Sequence, residues 1–298
     1  MQTNMTHAFR HIASLFMLAA LVSCSKEETG NNTPADTYIY LTASLDSQTP
    51  QSRMVIDDDG KNVLKLKWEI GDTVYGEYDV KYPPVLVPFK AIEISEDGKS
   101  ARFAAYTSYD RQPDYVYWAE SADRIEIEAN GDSGVRFLNV AEPCTAERVP
   151  YNNVLYAKPD GNNKCVFKPL LAIMRFDLKL PAEVTAITSF QLENTSTKKK
   201  SFNPNPQFIL YPKPTEDQQQ IMNPDRSNIF TDDTIDIPVT DGKVVVYVCM
   251  PPTKTSESDG TINITINQKF VATNNFGTLV AGKVASIRKT AKDWKSVQ

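Results

Sequence analysis

Residues 37–45 read TYIYLTASL, with Ile39, Leu41, Ala43 and Leu45 falling on one face and Tyr38, Tyr40, Thr42 and Ser44 on the other. A period of two is the mark of a half-buried strand, because successive side chains of an extended backbone point to opposite sides. The same kind of segment recurs along the chain: VLKLKW (63–68), TVYGEY (73–78), ARFAAY (101–106), DYVYWA (114–119), CVFKPLLAIMRFDLKL (165–180), ITSFQLE (187–193), KVVVYVCM (243–250), TINITIN (261–267) and KVASIRK (283–289). Turn-forming runs separate them, among them DDDG, EDGK, PDGNN, NPNP, TDGK and SESDG. Pro and Gly interrupt every stretch that could make a long amphipathic helix. Many short strands with frequent turns predict an all-β chain of antiparallel β-sandwiches.

Working outward from residues 37–45, the chain before them divides in two. Met1 to Arg10 carries the positive Arg10 and no acid, and the apolar run IASLFMLAALV follows at 12–22. That is the plan of a signal peptide, and eleven residues fall short of the roughly 20 that a spanning helix needs. Leu21-Val22-Ser23-Cys24 resembles a bacterial lipobox, so residues 1–23 are expected to be removed and Cys24 to be lipidated. Acyl chains on one cysteine hold a soluble domain at a membrane, at about 0.8 kcal/mol per buried methylene. Residues 24–36 read as a solvated leash, polar and without periodicity. Within them, Ser25-Lys26-Glu27-Glu28 resembles the acidic export signal of surface lipoproteins in the Bacteroides group.

After the leash, the chain is long enough for two domains at about 100–200 residues each. The boundary is placed in the turn-rich stretch Asp160 to Lys164, giving domains 37–163 and 164–298, with residues 195–231 as a long decorated loop in the second.

Composition narrows the chemistry. The balance of 32 basic against 37 acidic residues is mildly negative, and the one basic run, Lys198-Lys199-Lys200, fits a solvated turn better than a nucleic-acid surface. The only histidines, His7 and His11, lie in the signal peptide. The remainder therefore lacks the base of Ser-His-Asp or Cys-His catalysis and any His-ligated zinc site, and Gly131-Asp132-Ser133-Gly134 reads as a loop. Asp57-Asp58-Asp59-Gly60 lacks the spacing of a calcium loop and reads as a hairpin turn. No enzyme, metal site or cofactor is expected. Cys144, Cys165 and Cys249 show no CxxC spacing; buried free thiols are the favoured reading, with a Cys144–Cys165 bridge as the alternative.

The order of several pieces resembles the fimbrillin-like (Mfa-like and FimA-like) pilins and pilus-associated lipoproteins of Bacteroides and Porphyromonas. Those pieces are the first strand closing near Ser52-Arg53, Trp68-Glu69-Ile70-Gly71-Asp72, Tyr115 to Ala119, Phe167 to Phe176, Val244 to Pro251 and Leu279 to Lys283. The resemblance implies two transthyretin-like β-sandwich domains in tandem, polymerising by strand donation. It also implies that an arginine-directed protease cuts after Arg53, so that residues 37–53 become removable and a neighbour's strand takes their place. Ile39, Leu41, Ala43 and Leu45 are then the groove-filling side chains. Only Thr290 to Gln298 follows the last strand, and Ile287, Ala291 and Trp294 stand at helix-like intervals, which favours a tip, anchor or accessory subunit over a shaft subunit.

The expected partners are other pilin subunits, the outer membrane through the lipid on Cys24, and a glycan or protein on a host or bacterial surface. Location at the cell surface or in a pilus follows. Asp72-Thr73-Val74 and Asp233-Thr234-Ile235 match the Bacteroides O-glycosylation pattern, Thr234 being the better placed. The competing reading is a surface lipoprotein that binds glycans through exposed tyrosines, for which Tyr75, Tyr78, Tyr82, Tyr106 and Tyr109 are candidates, although tyrosines flanking strands more often half-bury.

Overall fold

In the computed structural model the described residues are 37–45, 67–78, 84–127, 134–138, 142–195, 208–211, 221–222, 229–253 and 260–297. The first nine strands are β1 (Thr37–Leu45), β2 (Thr73–Tyr78), β3 (Val85–Ile94), β4 (Ser100–Thr107), β5 (Tyr115–Trp118), β6 (Ile125–Ile127), β7 (Val135–Phe137), β8 (Leu155–Ala157) and β9 (Lys164–Pro169). Seven of them form one sheet in the order β1-β4-β3-β2-β5-β8-β9, and the sheet closes on itself because β9 pairs with β1. Its interior is filled by Leu41, Val74, Phe89, Phe103, Val116 and Phe167 among others. Gly76 belongs where it stands in β2: a Cβ there would come within 2.7 Å of the Phe89 ring and 3.0 Å of Pro113.

The remaining strands are β10 (Ala172–Lys179), β11 (Ala186–Ile187), β12 (Phe190–Asn194), β13 (Phe208–Leu210), β14 (Ile221–Met222), β15 (Ile229–Asp232), β16 (Ile237–Pro238), β17 (Lys243–Met250), β18 (Gly260–Ile266), β19 (Phe270–Phe276), β20 (Val284–Lys289) and β21 (Lys295–Ser296). A three-stranded sheet, β17-β10-β20, faces a five-stranded one, β15-β12-β18-β19-β21, across a core containing Phe176, Phe190, Leu192, Val246, Ile264, Ile287 and Trp294. This is the sandwich plan, with inner faces supplied by alternate residues. A tie between its loops comes from Asn267. Its Oδ1 accepts from the Thr188 and Ser189 amides at 2.8 and 3.1 Å, and its Nδ2 donates to the Ala186 carbonyl at 2.8 Å.

A third apolar cluster lies between these two cores and draws on both: Tyr75, Tyr115 and Tyr117 from one side, Ile173, Tyr247 and Cys249 from the other. It explains why β5 and β17 are apolar without interruption: Val116 faces the first core while Tyr115 and Tyr117 face the shared one, and a strand covered on both sides needs no polar alternation. At its margin the buried carboxylate of Glu77 accepts a hydrogen bond from the Tyr117 hydroxyl, which burial drives to a raised pKa.

Three features differ from the sequence reading. Residues 195–231 are not simply a loop, for β13, β14 and most of β15 lie within them. The sheet β14-β13-β7-β6 joins that region to residues 125–137, across the expected domain boundary. Phe208-Ile209-Leu210 escapes pattern reading because three buried residues between prolines show no period. Pairing is also not purely antiparallel: β1 runs parallel to β9, and β10 parallel to β20. Finally, Lys164–Pro169, assigned above to the second domain, completes the first sheet.

Candidate functional site: the seat of the first strand

β1 lies between two neighbours of opposite sense. It pairs antiparallel with β4 from Thr37↔Thr107 to Ser44↔Ser100, and parallel with β9 from Thr42↔Lys164 to Leu45↔Phe167. Leu41 and Ala43 are 1% exposed, Leu45 is buried and Ile39 partly so. The seat beneath them has a specific shape. Leu41 is in register with Phe103 on β4 and Leu45 with Phe167 on β9, and Trp68 joins the two rings edge-on, 5.2 Å from each centroid. At the Ala43 position the flanking residues are Ala101 and Cys165, so that part of the seat is built from small side chains.

Sequence reading singled out the inward residues of β1 but not Trp68, Phe103 and Phe167, which receive them. The strand expected at 63–68 includes Trp68; residues 63–66 lie outside the described residues, and Trp68 is buried but stands outside any strand, its backbone amide bonded to the Gly98 carbonyl at 2.8 Å. Cys24 and Arg53 lie outside the described residues, as does Tyr82.

The two threonines of the glycosylation pattern differ in setting. Thr73 opens β2, half-buried, with its hydroxyl donating to the Gly71 carbonyl at 3.5 Å. Thr234 is exposed; its amide and hydroxyl both donate to Asp232 Oδ1, at 2.9 and 2.7 Å. Of the tyrosines considered for glycan contact, Tyr75 and Tyr78 are buried, and Tyr78 stacks on Tyr109 at 4.2 Å. Tyr106 is 61% exposed.

Cys144, Cys165 and Cys249 are free and buried, Cys165 in the first core and the other two in the shared cluster. Burial pushes the Cys144 and Cys165 thiols up to about 12, and Cys249 well above the ordinary thiol range. These raised values carry a pH dependence of known sign. Stability from keeping the thiols neutral is fully present below the unfolded-state thiol range and is lost as pH rises through the folded values near 12. Native protein at pH 8 is expected to leave all three unreactive to Ellman's reagent, unfolded protein to expose all three, and the melting temperature to fall as pH climbs from the ordinary thiol range toward 12. A Cys144–Cys165 bridge would leave only one titratable thiol of the three.

The C-terminal segment is fastened. Thr290 and Asp293 form a capping box, buried Trp294 donates from Nε1 to the Lys179 carbonyl at 2.9 Å, and β21 pairs with β19. The last described residue, Val297, donates its amide to the Lys269 carbonyl at 2.8 Å.

No family model and no curated protein matches the chain. Solved structures similar to it are adhesion and fimbrial proteins of Bacteroides, Parabacteroides and Porphyromonas. A candidate cell adhesion protein from Bacteroides ovatus shares 11% identity with a TM-score of 0.46, over 89% of this chain and 97% of that one. A fimbrial assembly protein from Parabacteroides distasonis shares 10% at a TM-score of 0.40, over 87% and 94%. The tip fimbrial protein Mfa3 from Porphyromonas gingivalis, with a C-terminal truncation, shares 8% at 0.35, over 88% and 98%.

Proposed function

We propose that this chain is a subunit of a surface fimbria, delivered as a lipoprotein through Cys24, whose strand β1 is released by cleavage after Arg53 and replaced by a strand from another subunit. The observation that carries the reading is the seat of β1. Removing that strand strips hydrogen-bond partners from β4 and β9 together and uncovers Phe103, Phe167 and Trp68 in one step. An incoming extended strand that presents aliphatic residues at alternate positions restores both. In each half of the chain the first strand has the same neighbours: β10 lies between antiparallel β17 and parallel β20, as β1 lies between β4 and β9. That recurrence supports two tandem sandwich domains of transthyretin-like kind. A C-terminal segment held by Trp294 and β21 supports a tip, anchor or accessory role, because using it as a donor strand would first require extracting a core tryptophan. Adhesion is the function such a subunit serves.

The test is the N-terminus of the protein recovered from assembled fimbriae. Mass spectrometry is expected to find Met54 first, with no peptide from residues 37–45. Fimbrial protein that still begins at Cys24 would restrict the chain to an uncleaved anchor, and absence of the chain from fimbriae would refute the proposal.

A further inference from the structure

The outward face of β1 and β4 carries three tyrosines that the core does not use. Tyr38 and Tyr106 are 60% and 61% exposed and Tyr40 is 40% exposed. The rings of Tyr38 and Tyr40 stand 6.2 Å apart and within 20° of parallel, and Tyr106 packs against Tyr38 at 5.2 Å. The Arg102 guanidinium lies 4.3 Å over the Tyr40 ring and donates to Glu93 Oε1 at 3.0 Å. Register places Lys90 and Ala104 in one row with Tyr40, and Glu93, Arg102, Thr42 and Lys164 in the next.

We propose that this surface binds an uncharged saccharide chain, its pyranose rings laid on the more exposed Tyr38 and Tyr106, with Tyr40 held beside them under Arg102. A sugar ring is amphipathic: one face is C–H, and its hydroxyls both donate and accept. The fringe of the platform is mixed in the same way, with Arg102 and Lys90 as donors, Glu93 as acceptor and the Thr42 hydroxyl as either. Aromatic side chains suit such ligands because they offer flat apolar area that is already ordered, at little further entropy cost. Other occupants fit less well. A polyanion would meet the Glu93 carboxylate beside Arg102, to which it is already bonded. A second protein chain needs about 800 Å² of contact with charge excluded from its centre, whereas charged side chains here stand one row from the rings. Strand addition engages backbone edges rather than ring faces, and between β1 and β4 the backbone is already paired from Thr37↔Thr107 to Ser44↔Ser100.

The intact mature chain would be tested on an array of neutral hexose and N-acetylhexosamine oligosaccharides, with heparin as a polyanion control. Tyr106→Ala is expected to weaken binding of the retained neutral oligosaccharide about tenfold. Tyr106→Phe should retain binding, as should Ile70→Ala, a change at a residue 70% exposed in the turn before β2 and not among the platform residues. Since Tyr106 is largely exposed, its variants should keep the melting temperature of the parent. Retention of heparin alone, retention of no neutral saccharide, or binding indifferent to Tyr106→Ala would overturn the proposal. Tyr38 and Tyr40 leave with β1, so the platform belongs to the chain before cleavage after Arg53. Saccharide binding is read on the intact chain and cleavage on fimbrial protein, which keeps the failure of one reading distinct from the failure of the other.

Discussion

A chain that begins at Met54, lacking β1, is expected to lose cooperative unfolding of its first sheet, and a synthetic peptide of residues 37–45 is expected to restore it. The size of the effect follows from what β1 buries. Leu41 and Leu45 each remove an aliphatic side chain from water, worth about 1.5–3 kcal/mol apiece. Their sum, roughly 3–6 kcal/mol, already rivals the 5–15 kcal/mol by which a whole domain is stable, before the lost ladder to two neighbours is counted. Supplied in excess, the peptide stabilises by mass action, so the melting temperature should rise with peptide concentration. A peptide carrying Leu41→Asp should fail, since it places a charge against Phe103. Circular dichroism melts of the trimmed chain, with and without each peptide, measure this. A trimmed chain that melts like the intact one would mean that the seat does not depend on its strand.

The second large effect is expected at the other end of the chain. Trp294→Ala removes a ring from the core of the second sandwich together with its bond to Lys179, and substitutions of that kind cost roughly 3–5 kcal/mol. β21 pairs with β19 only at Phe270↔Ser296 and Val271↔Lys295, too few contacts to hold the segment alone. Hydrogen exchange should therefore show the amides of Lys295–Val297 losing protection along with the global destabilisation. Trp294→Phe keeps most of the packing and should lose only the hydrogen bond, at about 1 kcal/mol. If Trp294→Ala melted within a degree of the parent, the segment would be free rather than docked.

How much of this was legible beforehand depends on whether the information is local. Alternation in residues 37–45 marks the strand and its inward face, because period and burial are properties of one segment. KVVVYVCM marks itself as a strand, but that it is covered on both sides appears only when Val246 and Val248 face one core and Tyr247 and Cys249 the other. Which strands become neighbours is another matter. The parallel closures of β1 on β9 and β10 on β20 join segments more than 100 residues apart, and no local pattern encodes a partner. The same holds for Trp68, whose role appears only when β4 and β9 bring Phe103 and Phe167 to either side of it. Tyr38 and Tyr40 were read as the solvent side of a strand, which they are. Their meeting with Tyr106 and Arg102 required the register, since a one-residue slip would have turned them inward.

The central claim, that β1 is a replaceable part of the first sheet, is tested most directly by locking it. Ser44 and Ser100 face each other, and because the neighbouring Leu45 amide bonds to the Lys99 carbonyl at 3.2 Å, theirs is the narrow pair of the antiparallel ladder. That spacing suits a disulfide, so Ser44→Cys with Ser100→Cys should bridge β1 to β4 on oxidation. Protein cut at Arg53 by limited digestion would then be mixed with a fluorescent peptide of residues 37–45. The account predicts that the parent and the reduced variant take up the peptide and release their own strand, while the oxidised variant does neither. Equal uptake by oxidised and reduced protein, or no uptake by any of them, would contradict it.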